Sequence, residues 1–424
     1  MSFRNQRPDT KTIESFDIQD ININSSSAGQ LYHHHFTPEI GVAKISFWFP
    51  CGTIDQERSF ISSAAFDLLL AGSSTLSEKE IIERIDYWGA SVSCESGTIG
   101  SSVTLRCKKE VALDLIQWVI THASSAVYPE DQIENYKFIK SGGLERRMQT
   151  PGYWSERIAK EKYYKGSKLG VFGDLSDIEV LTRSEITTFH MKHIHFGNAM
   201  IFITGDMDEQ KCQEILSYTD SVFHKTFKLK IPASGTFVAS GETSRHSMKN
   251  SSQVSMFMMK HIGVIDEPTQ HKLTLLNLML GGYFGSRLMQ ELRENQGLTY
   301  GIGSSFRPAY NERTWTVSGE MNSTNAEKAL EETLKIMHEF SKTKVSLDEL
   351  EKAKRYYSGS FRSGFDGPFS SLIKCQHLVM RNLDTDHYRR TLKNIWETDP
   401  NQILETANQY LNPKEFEISL AGDI

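Results

Sequence analysis

The stretch LMLGGYFGSRLMQELRENQGLTYGIGSS, Leu278 to Ser305, has the grammar of an α+β unit. An apolar helix closes on glycine, Gly285-Ser286 opens a second helix, Gly297 ends it in the left-handed position that favours glycine, and Tyr300 falls in a following strand. Arg293, in the last helical turn, and Tyr300, just past the reversal, are thereby aimed into one space. A guanidinium beside a phenol is a donor pair suited to a peptide carbonyl or to the oxyanion that develops on it.

The same grammar occurs once before. LLLAGSSTLSEKEIIERIDYWGASVSCE, Leu68 to Glu95, lies beside it with a short gap, and each segment follows a strand: AKISFWF (Ala43 to Phe49) in one case, SQVSMFMMK (Ser252 to Lys260) in the other. Two further strands, NAMIFITGD (Asn198 to Asp206) and EFEISLAGDI (Glu415 to Ile424), both close on Gly-Asp, half a chain apart, and each follows a helix, SEITTFHMKHI or PNQILETANQYL. The order repeats, so the chain reads as a tandem pair. Paired strands such as SVSCES with SSVTLRC and LTYGIGSSF with RTWTVSGEM, followed by amphipathic helices such as VALDLIQWVITHA and AEKALEETLKIMHEF, define two α+β halves. Each is expected to be a mostly antiparallel sheet covered on one face by helices. The expected division is residues 1–222, a Lys/Gly/Ser/Thr-rich linker over 223–245, and residues 246–424.

Composition fits two cores rather than one. The chain has 424 residues, 38% hydrophobic and 24% charged, beyond the size at which single cores stop growing. A net charge of −6 offers no broad basic field, so nucleic acid and an anionic membrane are not expected partners. Five scattered cysteines without a C-x-x-C motif suggest neither a disulfide framework nor a thiolate metal site. The opening MSFRNQRPDTKTIESFDIQD has no apolar run of the signal-peptide kind, and a cytoplasmic, soluble protein is expected.

The string Arg293-Glu294-Asn295-Gln296-Gly297-Leu298-Thr299-Tyr300 resembles the C-terminal signature of the pitrilysin/insulinase family of zinc metallopeptidases. In active members, the first half carries H-x-x-E-H on a helix, two zinc-binding histidines and a water-activating glutamate, with a third glutamate ligand farther on. Counted back from Ser73-Ser74-Thr75, those positions hold Ala65, Leu68 and Leu69, and the third ligand falls near Gly143. No histidine occurs between His35 and His122, so no shift of register restores the motif.

Other histidines do not replace it. His33, His34 and His35 alternate along a strand, His190, His193 and His195 straddle a helix end, and His338-Glu339 is followed by no second histidine at the required spacing. Neither group is read as a metal site. Cys51 and Cys107 have no base nearby in sequence and read as small buried hydrophobes.

The resemblance implies that the two halves form a clamshell and that the chain holds half an active site: Arg293 and Tyr300 as carbonyl-binding and oxyanion-stabilising residues, no metal or cofactor in this chain, and zinc on a partner subunit bearing H-x-x-E-H. The expected function is the non-zinc subunit of a heterodimeric metalloendopeptidase for unfolded peptides, with a homodimer possible in isolation. The alternative is a structural or peptide-binding protein of the same fold without peptidase activity.

Overall fold

The computed structural model describes residues 21–223, 235–309 and 312–424. The N-terminal stretch read for a targeting signal, the middle of the expected linker and the hairpin tip at 310–311 lie outside the described residues.

The first half runs β1 (Asn24–Ser25), β2 (Leu31–Phe36), β3 (Val42–Phe49), α1 (Ile61–Asp67), α2 (Glu78–Tyr87), β4 (Ser91–Ser96), β5 (Ser101–Lys108), α3 (Ala112–Ser124), α4 (Glu130–Met148), α5 (Pro151–Tyr163), α6 (Leu175–Glu179), α7 (Arg183–His193), β6 (Met200–Gly205) and α8 (Glu209–Val222). The second runs β7 (Thr243–Ser247), β8 (Gln253–Ile262), α9 (Glu267–Asn277), β9 (Thr299–Ala309), β10 (Glu312–Asn322), α10 (Ala326–Lys342), α11 (Leu347–Ser363), α12 (Ser370–Met380), α13 (His387–Glu397), α14 (Pro400–Tyr410) and β11 (Glu417–Gly422).

Strand order states the repeat directly. The first sheet is β1-β2-β6-β3-β5-β4 and the second β7-β11-β8-β10-β9. After β1 the two orders map strand for strand. Among the described residues each sheet has one parallel pair, β2 with β6 and β7 with β11, and the other pairs are antiparallel. The repeated Gly-Asp closure has a steric cause: a Cβ on Gly205 would sit 2.4 Å from Val42 O, and one on Gly422 would sit 2.5 Å from Gln253 O. Only glycine fits against the neighbouring strand there.

Each sheet buries one face under its own helices. Ala43, Ile45, Phe47 and Phe49 alternate along β3 into a core with Leu69, Ile81, Leu115 and Ile215, while Val254, Met256 and Met258 of β8 pack with Leu275, Met337 and Ile403. The expected layering is present, and the other face of each sheet is covered too, by a helix borrowed from the opposite half. Trp48, Met200 and Phe202 of the first sheet pack on Leu372, Cys375 and Leu378 of α12. Phe257 and Met259 of the second pack on Ala159 and Tyr163 of α5. The unbroken apolar run in SMFMMK therefore marks a strand buried on both sides.

Candidate functional site

The segment that carries the Arg/Tyr string is not regular α-helix. Leu278–Gly282 and Met289–Asn295 are wound as π-helix, with Gln296 N–H donating to Glu291 O five residues back. The wider turn lets consecutive Leu278, Met279 and Leu280 enter the core together. Gly297 has φ of +61°, as expected from sequence, and its N–H donates to Arg293 O at 3.2 Å.

Arg293 and Tyr300 consequently line one shallow hollow of about 370 Å³ with Thr299 and Asn322. Tyr300 is 78% exposed, and its hydroxyl has no hydrogen-bond partner among the described residues. Arg293 lies over the Phe284 ring at 5.2 Å and 3.6 Å from Glu294. Tyr300 also borders a second cleft, about 540 Å³, whose other wall is Gly152, Ser155 and Glu156 of α5. Glu156 is clamped there by Arg307 and Lys160, both at 2.6 Å. Burial alone would raise its carboxyl, but these two cations outweigh burial and hold it below the ordinary glutamate range.

Tyr153, in the same first turn of α5, borders another cleft, of about 770 Å³, between α1, α4 and the loops before α1 and α6. Gly143 lines it, with open space where a Cβ would stand. Ala65 and Leu69 do not: they are fully buried in the first core, and Leu68 is 8% exposed. The face of α1 turned toward α4 carries Phe60, Ser63 and Asp67 instead. Ser63 Oγ is 2.6 Å from Tyr136 OH, and Lys140 Nζ is 2.9 Å from Asp67. Ser63 and Asp67, four residues apart, share this face, whereas Ala65 and Leu69 share the buried one. The helix ends at Asp67, ahead of Leu68 and Leu69, and Gly72 follows with φ of +157°.

In place of metal ligands this face offers a neutral hydroxyl pair and an ion pair. Burial pushes the Tyr136 phenol well up, so it stays protonated. The cleft wall is predominantly basic, with Arg58, Lys140, Arg146, Arg147 and Lys168 against Glu57. Arg58 is held by Glu185 at 2.6 Å, whereas Arg146 and Arg147 are exposed and have no carboxylate partner among the described residues. Sequence reasoning passed over this pair, although two adjacent arginines following Gly143 on a helix were the available signal.

The histidine groups are structural. His33 Nδ1 bonds Asn22 O at 2.9 Å, His34 Nε2 bonds Met207 O at 2.6 Å, and His190 Nδ1 bonds the Tyr128 hydroxyl at 2.7 Å, which in turn donates to Ala65 O. Among the described residues, the set of side chains whose ligating atoms converge is another one, Glu267, His271 and His387. All five cysteines are free thiols, and burial pushes Cys94, Cys107, Cys212 and Cys375 up to about 12.

Residues 181–357 match the family described as Peptidase M16 inactive domain. The whole fold is similar to the crystal structure of a peptidase M16 inactive domain from Pseudomonas fluorescens, with a TM-score of 0.85 at 21% identity, covering 96% of this chain and 98% of that one. A protease from Helicobacter pylori gives 0.83 at 15% identity, covering 95% and 100%. An uncharacterized zinc protease of Rickettsia bellii is 25% identical over 262 residues, 58% of this chain and 60% of that protein. The Helicobacter pylori protein called non-peptidase homolog YmxG is 19% identical over 344 residues, 80% and 78% of the two chains. The chain spans about 60% of the length of the Rickettsia relatives it matches. These matches bear out the resemblance to the pitrilysin/insulinase peptidases: the fold is similar to that of a peptidase M16 inactive domain, and residues 181–357 match the model of that domain. No helix among the described residues is long and apolar enough to cross a membrane.

Proposed function

We infer that this chain is the non-zinc subunit of a two-chain metalloendopeptidase, giving substrate-holding groups to a site whose zinc, with its H-x-x-E-H helix, resides on a partner of the same fold. One observation carries the reading: Arg293 and Tyr300 line one hollow, and Tyr300 presents an unpartnered hydroxyl there and in the cleft against α5. A purely structural surface gains nothing from an exposed phenol and guanidinium turned into the same recess. The basic cleft beside Gly143 supplies further donors for the carbonyls and carboxylates of an extended peptide. Zinc would polarise the scissile carbonyl from the partner's side; on this side, Arg293 and Tyr300 hold the same oxygen as its charge grows. Unfolded peptide as substrate and a cytoplasmic location belong to this proposal.

The test mixes the chain with a candidate H-x-x-E-H subunit and follows a quenched peptide. Cleavage by the mixture that neither chain gives alone supports the reading. Stable association without cleavage sinks it and leaves the second reading, a peptide-binding or structural protein, which the name of the Helicobacter pylori non-peptidase homolog favours.

A further inference from the structure

Helix α9 opens with Glu267 and carries His271 one turn on, so the two side chains share a face. His387, the first residue of α13, stands opposite. One carboxylate oxygen and one ring nitrogen from each histidine lie within 4.8 Å of one another. Glu267 Oε1 is 2.9 Å from His387 Nδ1 and 3.9 Å from His271 Nε2. Ligand atoms around a tetrahedral zinc with bonds of about 2.0–2.1 Å stand about 3.4 Å apart, midway between those two distances. Both imidazoles are buried, at 2% and 3% exposure, so their orientation is set by packing.

The surroundings fix the same atoms in place. Arg390 donates to Glu267 Oε2 at 2.9 Å and is itself bound by Asp384 at 2.7 Å, which offsets its charge and leaves Oε1 turned toward the histidines. The Asn394 amide is 3.0 Å from His271 Nδ1. In the present orientation Asn394 Nδ2 donates to His271 Nδ1; a half-turn of the amide places its oxygen there to accept an Nδ1 proton, which leaves Nε2 with a lone pair facing Glu267. Metal-binding histidines are commonly oriented by such an outer partner. Thr391 Oγ1 lies 3.1 Å from His271 Nε2, an oxygen next to one of the three ligands.

We propose that Glu267, His271 and His387 bind one divalent ion of the zinc class and thereby pin α13 to α9. This is a site apart from the one that α1 lacks, and it does no hydrolysis: its ligands are enclosed in the second half. Its consequence is mechanical. Tyr388, adjacent to His387, packs with Trp48 and Phe202 under the α12 helix that covers the first sheet, so an ion here stiffens a strap joining the halves.

The full chain, purified alone and stripped with a chelator, is titrated with zinc, cobalt and nickel. One zinc per chain and a metal-dependent rise in Tm are expected. His271→Gln and His387→Gln should each remove both effects, His338→Gln neither, and Asn394→Ala should weaken zinc affinity about tenfold. Absence of stoichiometric binding of all three ions, or binding undiminished in both glutamine variants, overturns the site. Where those variants do not fold, the nitrogen NMR signals of the wild-type chain decide: a zinc-dependent shift of the His271 Nε2 and His387 Nδ1 resonances supports the site, and resonances unchanged by zinc refute it.

Discussion

Ser155 Oγ, on a helix of the first half, lies 3.0 Å from Ser255 Oγ, on the central strand of the second. Ser419 of β11 donates to Ser155 O at the same contact. Small hydroxyl side chains let α5 sit directly on the sheet, and the polar groups that this buries are paired.

Enlarging that contact has a defined cost. Ser155→Leu adds volume where exposure is zero and strips the bond to Ser255. The expected destabilisation is about 1–3 kcal/mol, read as a lower urea midpoint, with Ser155→Ala losing less. An unchanged midpoint for the leucine variant would mean that α5 is not tightly seated.

The α1 register has its own test. Ser63→His with Asp67→His puts two imidazoles on the face turned to α4, and this variant should fold and take up one more cobalt ion than the parent. Ala65→His with Leu69→His forces two polar rings into a core at zero exposure, where unpaired polar groups cost several kcal/mol. Melting curves and cobalt titration separate the two. A stable Ala65/Leu69 double variant would contradict the placement.

In a reconstituted peptidase, Arg293→Ala or Tyr300→Phe should lower kcat by about a hundredfold to a thousandfold, the usual loss for one oxyanion donor. Assembly, followed by gel filtration, should be unaffected, because Tyr300 is 78% exposed and supports no packing. Full turnover in both variants removes the proposed role.

Acid should destabilise the chain before the carboxylates titrate. Burial lowers His33 and His190 to about 4, and His33 Nε2 has no partner among the described residues. The unfolded chain binds these protons from about pH 6.5 downward, whereas the native state resists them until about pH 4. Stability is therefore full above the unfolded value and falls as pH drops from 6.5 to 4, on the order of 3 kcal/mol for each histidine at the low end. Urea titrations at pH 7, 5.5 and 4.5 check this, and His33→Asn should flatten the slope. A pH-independent midpoint would show that neither ring is buried neutral.

How much of this was legible follows from the physics of each element. The paired strands and the Gly-Asp closures were readable because alternation and glycine sterics are local. Gly297 was readable for the same reason. The borrowed helices were not: α5 and α12 carry ordinary amphipathic patterns, and nothing in a pattern says which sheet it faces. Which face of α1 meets α4 was not legible either, because helix packing decides it: Ala65 and Leu69 are buried in the first core, while Ser63 and Asp67 meet Tyr136 and Lys140 of α4. Glu267 and His271 could have been noticed as an i, i+4 pair, but His387 joins them only through the packing of α13, which no spacing encodes.

The exchange of α5 and α12 bears on origins and on handling. Either lobe produced alone would expose a bare apolar sheet and clump, whereas the two expressed together as separate polypeptides have the surfaces to find each other. A fused pair of like units, each reaching an arm around its neighbour, has the anatomy of an arm-swapped symmetric dimer whose subunits became one gene product.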